Sequence, residues 1–188
     1  LGKLAERAAE LGVDCLQLFV GSPQTWAEPK LSAEEVAEFR SALASQGVRP
    51  IFVHSPYLVN LASLRPDVRA RSERKLIGQL RWAERLGAVG VVVHVGSGGE
   101  AGPEEATRGL RATLGAYHGP ATIVLENDAG AGLRVGRRFP EIGEIIRALG
   151  SDRRLLFCLD TAHALAAGYE IRTPEGLDET LHELDREV

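Results

Sequence analysis

Two kinds of apolar pattern alternate along the whole chain. Short runs rich in Val, Ile and Leu are followed by longer runs in which apolar residues recur every three or four positions. The short runs predict buried strands, and the longer runs predict amphipathic helices. The five predicted strands are Cys15–Val20, Pro50–His54, Gly90–His94, Thr122–Glu126 and Leu155–Asp160.

Six helices are predicted between and around these strands, and local signals mark their ends. Ser32 and Glu35 form a capping box at the second helix, and Pro174 suits the first turn of the last helix after a Thr173 cap. The other helices end at glycine or near Tyr117. Their apolar stripes are Leu4–Leu11, Val36–Leu43, Leu76–Ala83, Leu110–Tyr117, Phe139–Leu149 and, in the last helix, an inward-facing set of Leu177, Leu181 and Leu184.

Strict alternation of strands and helices favours a parallel sheet with helical crossovers. The strand runs are apolar on both faces, as buried parallel strands require. We therefore predict an α/β fold, a (β/α)8 TIM barrel that is incomplete here, with an open doubly wound sheet as the competing fold. Residues 1–188 form one predicted domain, because no linker or low-complexity tract interrupts the pattern.

The length of the chain affects this fold prediction. A complete barrel of this kind needs about 250 residues, whereas this chain has 188. The chain opens with Leu1 and contains no methionine, so we expect that it is not a full translation product. The pattern begins and ends with a helix, and this, together with the length, fits a barrel that lacks its first strand and its last two strands.

Composition and charge narrow the possible functions. The formal net charge is −4 and the isoelectric point is about 5.8, which argues against nonspecific coating of nucleic acid. A site with bound divalent cations can still attract phosphate. Cys15 and Cys158 lie in apolar runs, so we expect reduced, buried thiols. No run approaches the roughly 18 apolar residues of a membrane span, and the expected compartment is the cytoplasm.

Potential metal ligands stand at the ends of four successive predicted strands. They are His54, His94, Glu126 and Asp160, with His163 three residues further on. In a parallel barrel the carboxyl ends of the strands form one rim, where active sites lie. Imidazole and carboxylate suit Zn²⁺, Mn²⁺ or Fe, and Glu126 could bridge two cations that together promote phosphodiester hydrolysis. The sequence therefore predicts a metal site with Glu126 as its central catalytic carboxylate.

Plainer interpretations exist for each of these features. A single strand-end histidine is more often structural, and a single acid is often a helix cap. Glu126 with Asn127 could serve a retaining glycosidase, but no second carboxylic acid stands out. Glycine-rich loops at 96–99 and 127–132 match no phosphate-binding fingerprint, so we predict tight loops near the rim. For four arginines at the start of the long helix we favour a solvated face over phosphate contact: Arg65, Arg69, Arg71 and Arg74.

Four segments that carry these residues resemble the endonuclease IV family of apurinic/apyrimidinic endonucleases. They are His54–Leu61, Val93–Ser97, Leu125–Gly132 and Leu159–His163 with Ala166–Tyr169. Their order and spacing match that family along essentially the whole chain. The resemblance implies a monomeric, zinc-dependent enzyme of DNA base excision repair that hydrolyses the phosphodiester 5′ to an abasic site in double-stranded DNA.

The resemblance also implies roles for the candidate ligands. It implies three zinc ions, with Mn²⁺ as an alternative metal. His54 and His94 would hold the first ion, and Glu126 would bridge the first and second. Asp160 would bind the second ion and His163 the third.

DNA contacts are implied for Tyr57, Leu58 and Asn60. Tyr57 and Leu58 match a loop that the family inserts into the minor groove opposite the flipped-out abasic sugar. A packed aromatic is the plainer interpretation of Tyr57. In the loop before Trp26 the family commonly has an intercalating basic residue, whereas this chain has Gln24, which weakens the stacking argument there.

The family's remaining ligands are a His, an Asp-x-His pair and a final Glu, and nothing after Val188 supplies them. We therefore expect the isolated chain to bind metal poorly and to cleave little. Two other interpretations stay open: a metal-dependent sugar isomerase or epimerase of the related barrels, and an inactive barrel remnant with a structural or binding role. The histidines and the Asp160-x-x-His163 pair supply more imidazole than such isomerases usually need.

Overall fold

The computed structural model describes residues 1–188, which form one five-stranded sheet and seven α-helices. The strands are β1 (Leu16–Phe19), β2 (Ile51–His54), β3 (Gly90–Val93), β4 (Thr122–Glu126) and β5 (Leu155–Cys158). The helices are α1 (Gly2–Leu11), α2 (Ala33–Ser45), α3 (Pro66–Leu86), α4 (Gly102–Ala116), α5 (Phe139–Ala148), α6 (Thr161–Ala167) and α7 (Pro174–Glu187). A short 3-10 turn, Gly99–Ala101, precedes α4.

The strands lie in the sheet in the order in which they occur along the chain, and all four pairs are parallel. A doubly wound sheet reverses its strand order at a switch point, whereas a barrel adds each strand beside the last. The predicted TIM-barrel fold is therefore confirmed, and the doubly wound alternative is wrong. Because the strands are parallel, their carboxyl ends lie along one edge of the sheet, here called the rim.

The core lies between the sheet and the inward faces of the helices. Val53, Val91 and Leu125, in the middle of β2, β3 and β4, are fully buried, as are Leu76 and Leu80 of α3. Burial of each such side chain contributes about 1.5–3 kcal/mol relative to exposure. None of the helices that enclose this core is both long and apolar enough to cross a membrane.

Local sequence signals fix the helix ends around this core. The predicted capping box is present, because Ser32 Oγ accepts from the Glu35 amide at 3.1 Å and the Glu35 carboxylate accepts from the Ser32 amide at 2.7 Å. Gly87 ends α3 with a φ of 71°, in the left-handed region that only glycine adopts without strain. The boundaries of the predicted strands and of six predicted helices hold to within a few residues.

The seventh helix, α6, is absent from the sequence prediction. It begins directly after Asp160, whose Oδ1 accepts from the His163 amide at 2.7 Å. A helix cap was the plainer interpretation of a single strand-end acid, and the structure confirms it at Asp160. The second oxygen, Oδ2, takes no part in the cap and lies 3.5 Å from His163 Nδ1, so metal ligation by Asp160 stays a prediction.

The predicted inward face of α7 holds for Leu184, which is half-buried against the cluster around Phe139, but is wrong for Leu177 and Leu181. Leu177 and Leu181 are 38% and 39% exposed, whereas Gly176 and Thr180 are buried. Thr180 donates to the Glu170 carbonyl at 3.1 Å, and a Cβ at Gly176 would lie 2.4 Å from the Glu170 side chain. The helix therefore approaches the preceding segment through its small residues, which turns these two leucines outward.

Two expectations about burial are also corrected. Cys15 precedes β1 and is exposed, and Cys158 is half-buried, although both are free thiols as expected. Among the four arginines at the start of α3, Arg69 is buried rather than solvated. Its guanidinium donates to the Ser63 carbonyl at 2.9 Å and pairs with Glu105 on α4, so it joins α3 to α4.

Replacement of Gly90 by alanine is expected to destabilise the sheet. A Cβ at Gly90 would lie 2.2 Å from Thr122 Oγ1 and 2.4 Å from the Thr122 carbonyl oxygen, and that backbone oxygen cannot rotate away. The free energy of unfolding, measured by urea denaturation, should fall by about 1–3 kcal/mol. Gly115→Ala is the matched control: nothing lies within 4 Å of its Cβ, so α4 should become no less stable. Equal unfolding midpoints for the two variants would contradict this interpretation.

Candidate metal centre

Three strand ends place potential ligands side by side on the rim. His54 and Glu126 are the last residues of β2 and β4, and His94 directly follows β3 between them. Their ligand atoms lie within 4.8 Å of one another, and these three residues form the first trio. The side chains of His54, Glu126 and His94 are only 8%, 6% and 16% exposed. The fold thus brings together residues that are up to 72 positions apart in the sequence.

The hydrogen bonds of the first trio leave a place for a positive charge. His54 Nδ1 lies 2.7 Å from the Ser55 carbonyl, which assigns the proton of the neutral ring to Nδ1. His54 Nε2 then turns its lone pair toward Glu126 Oε2 at 3.0 Å, and His94 Nε2 lies 3.1 Å from the same oxygen. Lone pairs this close repel one another unless a proton or a cation lies between them.

Asp160 and His163 lie on the other side of Glu126. With Glu126 they form a second trio, whose ligand atoms also lie within 4.8 Å of one another. His163 Nδ1 lies 3.1 Å from the Asn127 carbonyl, 3.5 Å from Asp160 Oδ2 and 3.9 Å from Glu126 Oε1. The side chains of Asp160 and His163 are 31% and 32% exposed, so the second trio is more open to solvent than the first. Glu126 belongs to both trios and turns one oxygen toward each.

Asn127 fixes the second trio relative to the first. Its side-chain amide donates to the Asp160 carbonyl at 2.9 Å and accepts from the Asp160 amide at 2.7 Å. These two bonds continue the link between β4 and β5 beyond Glu126 and Cys158, the last residues paired in the sheet. This role was not predicted from the sequence, since it depends on the register of β5 and not on any local motif.

Asp128 is a second residue whose role was not predicted from the sequence. It is 5% exposed, and its Oδ2 lies 3.6 Å from His94 Nδ1. Gly130 N donates to Asp128 Oδ1 at 2.9 Å, and Arg134 Nη1 donates to Oδ2 at 3.0 Å, so the carboxylate is held in place. A carboxylate beside Nδ1 favours the tautomer that leaves Nε2 free for a metal ion. The available signal was an acid two residues after the strand-end Glu126.

The two histidines of the first trio have opposite pKa shifts. Burial disfavours the charged form of His54, but its hydrogen bonds to Glu126 and to the Ser55 carbonyl outweigh burial and raise its pKa. Burial dominates at His94 and lowers its pKa despite the nearby carboxylates. His94 is therefore neutral at pH 7, as a metal ligand must be, whereas a cation bound at His54 Nε2 would compete with a proton there.

The donor set fits a divalent cation that prefers nitrogen and oxygen ligands. Neutral imidazole and carboxylate suit Zn²⁺ and Mn²⁺, and the converging Nε2 lone pairs of the first trio require a positive charge. A thiolate is not available at the rim. Burial, followed by the charges of Glu126 and Asp160, raises the pKa of Cys158 to about 11, so this thiol is neutral at pH 7.

A cavity of about 300 Å³ opens above the trios. All three histidines of the trios line it, with Tyr57 on one side and Arg134 on the other. The cavity is therefore lined by a cationic group, Arg134, and by an aromatic ring, Tyr57, which can bind an anion and pack against a sugar or a base.

The three residues with predicted DNA contacts occupy different positions beside this cavity. Tyr57 is 61% exposed, and Leu58 is half-buried next to it. The Asn60 amide is engaged within the protein: it donates to the Ser97 carbonyl at 3.0 Å and accepts from the Ser97 amide at 2.9 Å. A Cβ at Gly96 would lie 2.1 Å from Asn60 Oδ1, which accounts for glycine in this predicted tight loop. A DNA contact of Asn60 stays a prediction and would require these bonds to break.

Comparison with known proteins agrees with the observed fold. A family model described as a xylose isomerase-like TIM barrel matches residues 5–186. The chain is 37% identical over 185 residues to the probable endonuclease 4 of Haloarcula marismortui, covering 97% of this chain and 66% of that protein. It is 33% identical over 190 residues to the probable endonuclease 4 of Halothermothrix orenii, covering 99% of this chain and 68% of that protein. The chain thus spans about two thirds of the length of these curated relatives.

Solved structures give the same result. The chain matches the crystal structure of endonuclease IV from Thermus thermophilus with a TM-score of 0.86 and 36% identity, covering 99% of this chain and 66% of that chain. It also matches a D-psicose 3-epimerase with a TM-score of 0.74 and 14% identity, covering 97% of this chain and 63% of that chain. The second likeness concerns the fold alone.

Glu126→Gln is expected to abolish the response of the chain to divalent metal, because Glu126 belongs to both trios. Zn²⁺ or Mn²⁺ in excess should raise the melting temperature of the unmodified chain, since a ligand that binds only the folded state stabilises it. Glu10→Gln, an exposed site on α1, is the control and should retain this rise. A rise of the same size in Glu126→Gln would contradict the assignment.

Asp128→Asn is expected to change the surroundings of His94 Nδ1 and to weaken metal binding. With Zn²⁺ bound at Nε2, the proton of His94 lies at Nδ1 beside Asp128, and nitrogen-resolved NMR of the chain with Zn²⁺ should show a shifted Nδ1–H signal in the variant. Metal affinity should fall by about 10- to 100-fold. Asp178→Asn is the control, because Asp178 Oδ2 also lies 3.6 Å from a histidine Nδ1, that of His182, but on the exposed surface of α7. An unchanged His94 signal would refute the positioning role.

Proposed function

The chain belongs to the endonuclease IV family of xylose isomerase-like TIM barrels, and we propose that its candidate centre cleaves DNA at abasic sites. The proposed reaction is zinc-dependent hydrolysis of the phosphodiester on the 5′ side of the abasic site, in base excision repair. Double-stranded DNA is the proposed substrate, the monomer the proposed active form and the cytoplasm the proposed compartment. The relatives named endonuclease 4 support the nuclease class, and the rim supports the metal dependence.

The observation that carries this proposal is the sharing of Glu126 by two trios of ligands. Phosphodiester hydrolysis needs positive charge near both the attacking and the leaving oxygen. Two groups of donors side by side, joined by one carboxylate, can supply that charge at adjacent positions. The cavity above them is open enough to admit a phosphate with its neighbouring sugar.

Each trio would hold metal through residues already oriented by the fold. His54 and His94 would bind one ion, Asp160 and His163 would bind beside it, and Glu126 would contact both groups. Bound divalent ions would supply the Lewis acidity that activates water and neutralises the leaving oxygen.

The remaining contribution of the protein is position. The Ser55 carbonyl orients the imidazole of His54, and the Asp128 carboxylate lies 3.6 Å from Nδ1 of His94; both Nε2 atoms face Glu126. Asn127 holds the second trio at a fixed distance from the first. Reacting groups that are already in place need no reorganisation during the reaction.

Tyr57 supports DNA as the substrate. The Tyr57 ring meets Phe19 edge-on, with 5.3 Å between the ring centroids, yet most of its surface stays exposed beside the cavity. Leu58 adds apolar surface next to it. Side chains of this kind act as wedges in the minor groove. Extrusion of a nucleotide is least costly where the base is already missing, which is the proposed basis of selectivity.

The test is cleavage of a duplex that carries one abasic site, with the chain in excess over DNA. Because the isolated chain is expected to cleave little, the readout is the small amount of product with a 3′-hydroxyl on the 5′ side of the site, which Zn²⁺ should produce and a strong chelator should abolish. His94→Gln should remove cleavage, because it deletes a ligand of the first trio. His182→Gln, on the exposed face of α7, is the control and should cleave as wild type does. Turnover of a ketose without nicking would favour the sugar isomerase and refute the proposal.

A separate variant tests the role of Tyr57. Tyr57→Ala should weaken binding of the abasic duplex about tenfold or more, since stacking of an aromatic ring on a base contributes about 1–3 kcal/mol. Its zinc-induced rise in melting temperature should not change. Equal affinity of wild type and variant for the abasic duplex would exclude a wedge.

A further inference from the structure

An arginine-rich face runs along α3, outside the candidate metal centre. Four exposed residues form this face, called here the α3 arginine face: Arg71, Arg74, Arg81 and Arg85. With 3.6 residues per turn, they fall within a sector of about 80° and extend over about 21 Å of the helix axis. The face is therefore a stripe and not a point-like cluster.

None of these four guanidinium groups has a carboxylate oxygen within the 4.0 Å of an ion pair. Two neighbouring arginines at the start of α3 do: Arg65 pairs with Asp67, and Arg69 pairs with Glu105. The solvated-face interpretation thus fails for Arg69, and the structure adds Arg81 and Arg85 to the unpaired set. In a chain with a net charge of −4, this face is a local reversal of sign.

Two tryptophans hold two of these arginines in place. The Arg71 guanidinium lies 4.4 Å from the ring centroid of Trp26, and the Arg85 guanidinium lies 3.9 Å from that of Trp82. Stacking immobilises the planar group and leaves its N–H edge free for two bonds to a phosphate. Preorganisation lowers the entropic cost of binding an anion.

An open groove of about 440 Å³ lies along the stripe. It is lined by Arg74, Arg81, Arg85, Trp82, Gly78 and Glu28. The single acid of the groove is already compensated, because the Glu28 carboxylate lies 2.9 Å from the buried Nζ of Lys75. The three arginines therefore leave the groove with a positive charge.

The N-terminal end of the stripe, at Arg71, is connected to the rim. Lys75 Nζ donates to the carbonyls of Trp26 and Ala27 at 3.3 and 2.9 Å, which fixes the loop before α2 against α3. The same loop reaches the rim, where the Pro23 carbonyl accepts from the Tyr57 amide at 3.1 Å. A nucleic acid strand that leaves the cavity beside Tyr57 can therefore reach the stacked pair at Trp26 first.

We propose that the α3 arginine face binds the phosphates of a DNA strand that extends beyond the metal centre. Its length corresponds to about six nucleotides, since successive phosphates of one duplex strand are about 3.4 Å apart along the axis. The choice of DNA among polyanions rests on the proposed function. An extended backbone engages all four guanidinium groups, whereas a small anion leaves most of them unpaired.

The experiment measures binding of two undamaged duplexes at several salt concentrations by fluorescence anisotropy. One duplex covers only the rim, and the other is long enough to reach the far end of α3. The test variant combines Arg74→Gln with Arg81→Gln, whose side chains make no hydrogen bond or ion pair within the protein. For the long duplex, the slope of log affinity against log salt should decrease by about 0.9 for each phosphate that the variant no longer binds. The short duplex should bind as it does to wild type.

The control variant combines Arg108→Gln with Arg153→Gln, which removes the same charge from exposed positions elsewhere. An unchanged slope in the test variant, or an equal decrease in the control, would overturn the proposal. So would displacement of the long duplex by inorganic tripolyphosphate at an equal phosphate concentration. Because the measurement needs no cleavage, its outcome is independent of the proposed reaction. Cleavage of the short abasic duplex with no length effect would refute this inference and leave the reaction intact.

Discussion

The rim depends on the charge of one buried carboxylate. Glu126 is 6% exposed, so water does little to stabilise its negative charge, and three imidazoles approach it instead. Their ring centroids lie 5.6 Å apart between His54 and His94, and 5.1 Å apart between His94 and His163. A buried carboxylate among histidines is stable only with a proton or a cation between them. That requirement supports the proposal that the cluster of polar side chains at three strand ends holds a divalent cation.

The loops that follow the strands are hydrogen-bonded to one another around this cluster. Asn60 joins the loop after β2 to Ser97 in the loop after β3. Ser97 in turn forms an antiparallel bridge with Arg134 in the loop after β4, and Arg134 supports Asp128 behind His94. Three loops thus form one hydrogen-bonded layer around the cavity. The exposed ring of Tyr57 projects from this layer, so the candidate ligands and the proposed DNA contact share the same framework.

Much of this arrangement could be predicted because it follows from strand periodicity. The parallel order of the strands brings every strand end to one edge, so His54, His94 and Glu126 could be placed together from their positions alone. The other features depend on which residues the fold places opposite one another, and on which of several possible roles a side chain takes. The cap at Asp160, the bond network of Asn127 and the small-residue face of α7 around Thr180 have no periodic signal. The unpaired state of Arg81 likewise depends on which acids the neighbouring elements bring within reach.

The link through Asn127 separates the spacing of the two trios from their chemistry. A neutral amide binds the backbone of Asp160, while the shared Glu126 joins the trios through its two oxygens. Loss of this amide alone would change the distance between the trios without altering a candidate ligand or a charge.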